Sequence, residues 1–144
     1  MKKMILISSL LIASFFCVQA QFQTIGLRMG FGGELSAQFD GGAGRIEFDL
    51  GIYRNYSSAA LAYQLVNPLE GDFAWYYGAG GIVGFENNNG VSAGPIGVLG
   101  IEYNFGIPLQ LSFDYRPEFY ILRNGAIDFH ANLTGVGFSA RYRF

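Results

Sequence analysis

Apolar and polar residues alternate along most of this chain, and the alternation is interrupted at intervals by Gly, Asn, Asp and Pro. Successive side chains of a strand point to opposite faces, so a period of two predicts strands with one apolar and one polar wall. The clearest case is LQLSFDYRPEFYI. Leu109, Leu111, Phe113, Tyr115, Pro117, Phe119 and Ile121 fall on one face, and Gln110, Ser112, Asp114, Arg116, Glu118 and Tyr120 on the other.

RIEFDLGIY sets Ile46, Phe48, Leu50 and Ile52 against Arg45, Glu47, Asp49, Gly51 and Tyr53. TIGLRMGFG sets Ile25, Leu27, Met29 and Phe31 against Thr24, Gly26, Arg28, Gly30 and Gly32, and ELSAQFD sets Leu35, Ala37 and Phe39 against Glu34, Ser36, Gln38 and Asp40. ALAYQL, FAWYYGAGGIVGF, VSAGPIGVLGIEYNF and LTGVGFSARYRF complete the set. No segment sustains a helical apolar period, so the fold is expected to be all-β. Residues 24–39 fit either one long strand or a hairpin turning at GFGG, which gives seven or eight strands. Single-chain bacterial membrane barrels use even numbers with both termini on the periplasmic side, so the expectation is eight, in a closed antiparallel up-and-down transmembrane β-barrel. Turns near NPLEGD and NFGIP are then periplasmic, while GFGG, NYSS, ENNNG and RNGAID face outward as short loops.

Alternation alone does not distinguish a soluble barrel, apolar within, from a membrane barrel, apolar without. Volume and charge decide. An eight-stranded barrel is just wide enough for side chains to fill. The polar faces are rich in Gly and Ala, which suit a crowded lumen. They also carry Arg28, Glu34, Glu47, Asp49, Glu102, Asp114, Arg116, Glu118, Arg141 and Arg143, whereas the apolar faces carry no charge between strand ends. An Arg or Lys at the bilayer midplane costs roughly 2–4 kcal/mol on a barrel's lipid face, so this exclusion is what lipid exposure demands. Tyr63, Phe73, Trp75, Tyr77, Tyr103, Phe105, Tyr142 and Phe144 fall outward near one rim, where amphipathic rings prefer the headgroup layer.

The first twenty residues alter this picture only by leaving it. Lys2 and Lys3, an apolar run from Met4 to Phe16 and the small-x-small pattern Val18-Gln19-Ala20 read as a secretory signal peptide, which leaves 21–144 as a single barrel domain. Cys17, the sole cysteine, invites lipidation, but Phe16 stands where lipoprotein processing wants a small residue. Residues 21–144 hold seven arginines, no lysine and eleven acids, a formal charge of −4, with no basic patch for nucleic acid.

On these residues the chain resembles the small eight-stranded outer-membrane β-barrel proteins of Gram-negative bacteria, of the OmpX and OmpA transmembrane type. The closing GFSARYRF is similar to the signal by which the barrel-assembly machinery recognises its clients: Phe144 and Tyr142 match, with Phe138 on the same face, while Ser139 stands where glycine is usual. The resemblance implies an outer-membrane location, lipid as the surrounding partner and that machinery as a partner during insertion.

Candidate chemistry is sparse. Interior charges could form a proton relay, an ion path or a ligand site; six acids among four arginines in so narrow a cylinder read better as a salt-bridge plug, centred on Arg116, with Arg28 and Arg141 approaching it. No open pore is expected, since pores need about 16 strands. His130, the only histidine, lies in FHANL. Outer-membrane lipid A hydrolases use a His with a Ser two residues on and a later Glu, but Asn132 holds the Ser position and no acid follows Asp128, so His130 reads as a loop or rim residue. GAGGIVG lacks the helix, Lys and Ser/Thr of a phosphate loop, and one His with no Cys beyond residue 17 leaves only carboxylates as metal ligands. Neither catalytic residues nor a cofactor is therefore expected. The function read from the sequence is an integral outer-membrane protein with a structural or surface-interaction role; the alternatives are a lipid-modifying outer-membrane enzyme and a soluble lipocalin-like barrel holding an apolar ligand.

Overall fold

The computed structural model describes residues 22–30, 32–87, 90–123 and 126–144. The segment expected to be a signal peptide, Cys17 among it, and part of the expected GFGG, ENNNG and RNGAID turns lie outside them. The described residues form ten strands: β1 (Phe22–Met29), β2 (Gly33–Asp40), β3 (Arg45–Ile52), β4 (Tyr56–Pro68), β5 (Phe73–Glu86), β6 (Val91–Asn104), β7 (Leu109–Tyr115), β8 (Glu118–Arg123), β9 (Ala126–Asn132) and β10 (Val136–Arg143).

Eight of them close a barrel. β1 to β7 pair antiparallel in chain order, β10 pairs with β7, and β1 pairs with β10. Thr24 to Met29 lie opposite Arg143 to Phe138 at the closing seam, so the barrel leaves no free edge there. The chain turns between β1 and β2 at GFGG, which settles the seven-or-eight question in favour of eight. Phe22 and Phe144 meet at one end, the terminal end: the Phe144 amide donates to the Gln23 carbonyl at 3.0 Å and the two rings are 6.4 Å apart. Gly42 and Gly71 take the positive φ values, 82° and 69°, that the tight turns at this end require.

β8 and β9 lie outside the closed ring. LQLSFDYRPEFYI is not one strand but two, because Pro117 has no N–H for a ladder. At Arg116 the β7–β10 pairing ends with the Arg116 amide donating to the Gly135 carbonyl at 2.5 Å, and beyond it β8 pairs with β6 and β9. Residues 126–132 form β9, which takes in the second half of RNGAID, expected as a short loop, and sets His130, expected at a loop or rim, opposite Tyr120. The inside–outside phase survives the break: Arg116 is buried and Glu118 and Tyr120 partly so, whereas Ile121 is exposed.

The burial pattern is the inverse of a soluble globule. Leu27, Ile52, Phe113 and Phe138 are 51, 81, 54 and 47 % exposed on the outer surface, while Arg28, Glu47, Asp114 and Arg141 are at most 4 % exposed within. Aromatic rings gather round the terminal end in contact: Phe22 with Phe39, Phe73 with Tyr103, Tyr103 with Phe105, Trp75 with Tyr77, and Tyr142 with Phe144. The interior is not polar throughout, for the wall of β4, β5 and β6 lines it with Ala60, Ala62, Tyr76, Ile82, Ile96 and Val98. Gly100 makes this possible, since a Cβ there would overlap the Tyr76 ring.

Candidate functional site

The interior is built in three layers along the barrel axis, each organised by arginine. Strand alternation delivers the charges to one face, and the register between strands decides which of them meet.

The layer furthest from the termini is held by Arg116 and Arg28. Arg116 Nη2 reaches Glu34 Oε1 at 2.6 Å, its Nη1 reaches Asp49 Oδ2 at 3.0 Å, and its Nε lies 3.4 Å from Glu118 Oε1. Arg28 Nη1 takes the other oxygen of Glu34 at 3.1 Å, and its Nη2 and Nε grip Asp114 Oδ1 and Oδ2 at 2.5 and 3.2 Å, the two-pronged geometry that suits a guanidinium to a carboxylate. Arg28 lies where Gly137 leaves room, since a Cβ at that glycine would strike the guanidinium. Tyr53, in the β3–β4 turn, donates to Glu34 Oε1 at 3.0 Å. Burial, and then the Glu34 carboxylate, push the Tyr53 phenol up to about 12, so it remains a donor at physiological pH.

The middle layer belongs to Arg141. Its Nη2 pairs with Glu47 Oε2 at 2.9 Å, and its Nε and Nη1 donate to Ser36 Oγ at 3.0 Å and Ser112 Oγ at 2.7 Å. Gln38 Nε2 also donates to Glu47, and Thr24 Oγ1 donates to Gln38. Arg28 therefore joins Arg116 through Glu34, as expected, but Arg141 does not. It faces Gly26, two residues closer to the terminal end than the Arg28–Ser139 pair, and so meets Glu47 instead.

In the terminal layer Arg45 pairs with Glu102 at 2.5 Å, donates from Nε to Gln64 Oε1 at 2.7 Å, and stacks 4.4 Å from the centre of the Tyr76 ring. Arg45 was not among the charged residues singled out from the sequence, although it shares a face of RIEFDLGIY with Glu47 and Asp49. Its position at the strand's first residue is what hid it, because a strand-end charge reads equally well as a rim residue. Arg143 is placed differently from its expected role: it is only partly buried, makes no ion pair among the described residues, and donates to the Phe105 carbonyl at 3.4 Å.

Two cavities flank the layers. One of about 250 Å³ lies at the far mouth beside Arg28, Arg116, Tyr53 and Tyr120; the other, of about 640 Å³, lies at the terminal mouth beside Asp40, Arg45, Gln110 and Arg143. They share no lining residue, and Gln38, Glu47, Gln64, Tyr76 and Arg141 are buried between them. A third, smaller cleft brings His130 near Ser92 and Glu86, which the sequence keeps far apart. Among the described residues no hydrogen bond joins these three.

Phe138, Tyr142 and Phe144 all point outward, with Tyr142 and Phe144 in edge contact at 5.2 Å. No family model, curated protein or solved structure matches this chain.

Proposed function

We propose that this chain is an integral outer-membrane β-barrel protein with a structural or surface-interaction role, its lumen plugged by the arginine–carboxylate layers. The observation that carries this reading is the division of the closed barrel into an apolar, aromatic-rimmed outside and a charged inside. In lipid every backbone polar group needs a partner within the protein, and a closed barrel provides one for each strand of the ring. A soluble barrel of the lipocalin kind needs the opposite arrangement of faces.

Fractionation of the expressed protein tests the location. Recovery in the outer membrane, with a band whose gel mobility changes on boiling, is the expected result. Recovery in the soluble periplasmic fraction would overturn it.

Two further expectations follow from the same reading. A plugged lumen predicts no conductance above background in planar bilayers, and stepwise channel currents would contradict the plug while leaving the location intact. The outward ring of Phe144 supports its role as part of a recognition signal for the assembly machinery, so deleting that residue is expected to lower outer-membrane levels several-fold. Unchanged levels would remove that role.

A further inference from the structure

In the layer furthest from the termini two arginines, Arg28 and Arg116, face four carboxylates, Glu34, Asp49, Asp114 and Glu118, a formal charge of −2. The other layers are balanced, Arg141 with Glu47 and Arg45 with Glu102. Glu34, Asp49 and Asp114 are each gripped by a guanidinium nitrogen at 3.0 Å or less, and their side chains are at most 5 % exposed. Glu118 is held more loosely. Its side chain is 12 % exposed, Arg116 Nε stands 3.4 Å from its Oε1, and it lines the far-mouth cavity of about 250 Å³. The excess negative charge of the layer therefore opens to the cavity at Glu118.

The phenols of the same cavity offer acceptors and not donors. Tyr120 gives its one phenolic proton to Glu118 Oε2 at 2.8 Å, so the Tyr56 hydroxyl, 3.4 Å from the Tyr120 oxygen, is the donor of that pair. Tyr53 gives its proton to Glu34. All three oxygens keep lone pairs, and the two distances join Tyr56, Tyr120 and Glu118 into a short arc within reach of one small ligand. The rings of Tyr56 and Tyr53 are set against backbone, since a Cβ at Gly84 would overlap the first and a Cβ at Gly32 the second. Electron-rich rings attract a cation, and a cleft with one sign of excess charge concentrates its counter-ion. A metal ion is a poor fit, because among the described residues no three Asp, Glu, His or Cys side chains are placed to hold one. An alkylammonium ion supplies both the positive charge and the N–H donors that this arc accepts. The volume, below the range of drug-sized ligand sites, limits it to a few carbons.

We propose that the far mouth of the barrel binds a small organic ammonium ion, with Glu118 as its counter-ion and the Tyr56 and Tyr120 oxygens accepting its remaining N–H groups. This gives the surface-interaction role a ligand class, and it rests on that reading only for the side of the membrane from which the ion enters.

The test is an NMR titration of the folded protein in uncharged micelles with n-butylammonium, and with n-butanol and butyrate as its neutral and anionic counterparts, following the Tyr56 and Tyr120 ring signals. Saturable shifts with n-butylammonium alone are expected. Its affinity should fall at least about tenfold in Glu118→Gln and about threefold in Tyr56→Phe, as the loss of a charged and of a neutral hydrogen bond requires. Tyr56→Phe keeps the ring against Gly84 and leaves every carboxylate in place, so it carries the test if Glu118→Gln does not fold. Equal binding of butyrate or n-butanol would overturn the cation assignment, and undiminished binding to Glu118→Gln would overturn the counter-ion. No saturable shift with any of these probes would overturn the site altogether, while leaving the membrane location, which the micelle titration does not probe, as it stands.

Discussion

Replacing Arg116 by Met is expected to destabilise the barrel by about 3–5 kcal/mol, the cost of breaking a buried ion pair by removing one partner. The size follows from position. Arg116 is 4 % exposed and is the shared cation of Glu34, Asp49 and Glu118. Its removal leaves Arg28 to face Glu34 and Asp114, and leaves Asp49 without an ion-pair partner among the described residues. Methionine fills most of the volume, so the loss reports charge and not a cavity. A second substitution isolates the cause: Asp49→Asn in the Arg116→Met background is expected to recover part of the stability, because it removes the stranded charge. Arg116→Lys keeps the charge but loses the fork that holds three carboxylates at once, and should fall between the two. Urea unfolding midpoints of the folded protein in detergent measure all of these. A loss below about 1 kcal/mol for Arg116→Met would place the layer among solvated surface ion pairs, and a double variant no better than the single one would show that Asp49 is not the stranded group.

Legibility from sequence followed physical cause strand by strand. β3 and β7 could be read directly because each has an unbroken alternation whose two faces differ in charge, and the same alternation placed the buried Arg28, Glu34, Glu47, Asp49, Asp114 and Arg116 on one face. β5 and β6 were legible as strands, and their outward face was legible where aromatics mark the rim, at Phe73, Trp75, Tyr77, Tyr103 and Phe105. The rest of FAWYYGAGGIVGF is apolar on both sides, and nothing in it reserves interior space for Tyr76 or says that Ile82 turns inward while Val83 turns out. The space for Tyr76 depends on Gly100 in the neighbouring strand. β9 escaped although AIDFHAN alternates Ile127, Phe129 and Ala131 with Asp128, His130 and Asn132, because its first residues belong to RNGAID, whose Asn, Gly and Asp read as a turn. The pairing of charges across the lumen was the least legible feature. Glu47 and Arg141 are 94 residues apart, and they meet because strand register sets their heights along the axis. Sequence periodicity supplies the face of a residue, whereas shear and stagger supply its height. The polar contents of the lumen were therefore readable as a set and not as a wiring.

Phe113→Arg tests the outer face where the effect should be greatest. The row of paired outward residues across neighbouring strands runs Trp75, Ile101, Phe113, Phe138 and Met29. It climbs from the aromatic rim at the terminal end to the last residue of β1 at the other end, and Phe113 is its middle member. In the proposed orientation that position lies near the bilayer midplane, where an arginine on the lipid face costs roughly 2–4 kcal/mol. Phe113 is 54 % exposed and points away from the ionic layers, so a guanidinium there reaches none of the interior carboxylates. The expected outcome is a barrel that unfolds at lower denaturant in lipid by that amount and accumulates poorly in the outer membrane. The same change at Ile52, which is 81 % exposed at the end of β3 furthest from the termini, should cost about 0–1 kcal/mol because the charge is within reach of water. The contrast between the two sites is the informative quantity, since aromatic loss alone would not depend on depth. Equal and small effects at both positions would mean that this surface does not face hydrocarbon. The apolar outside of the barrel would then need a protein partner to cover it.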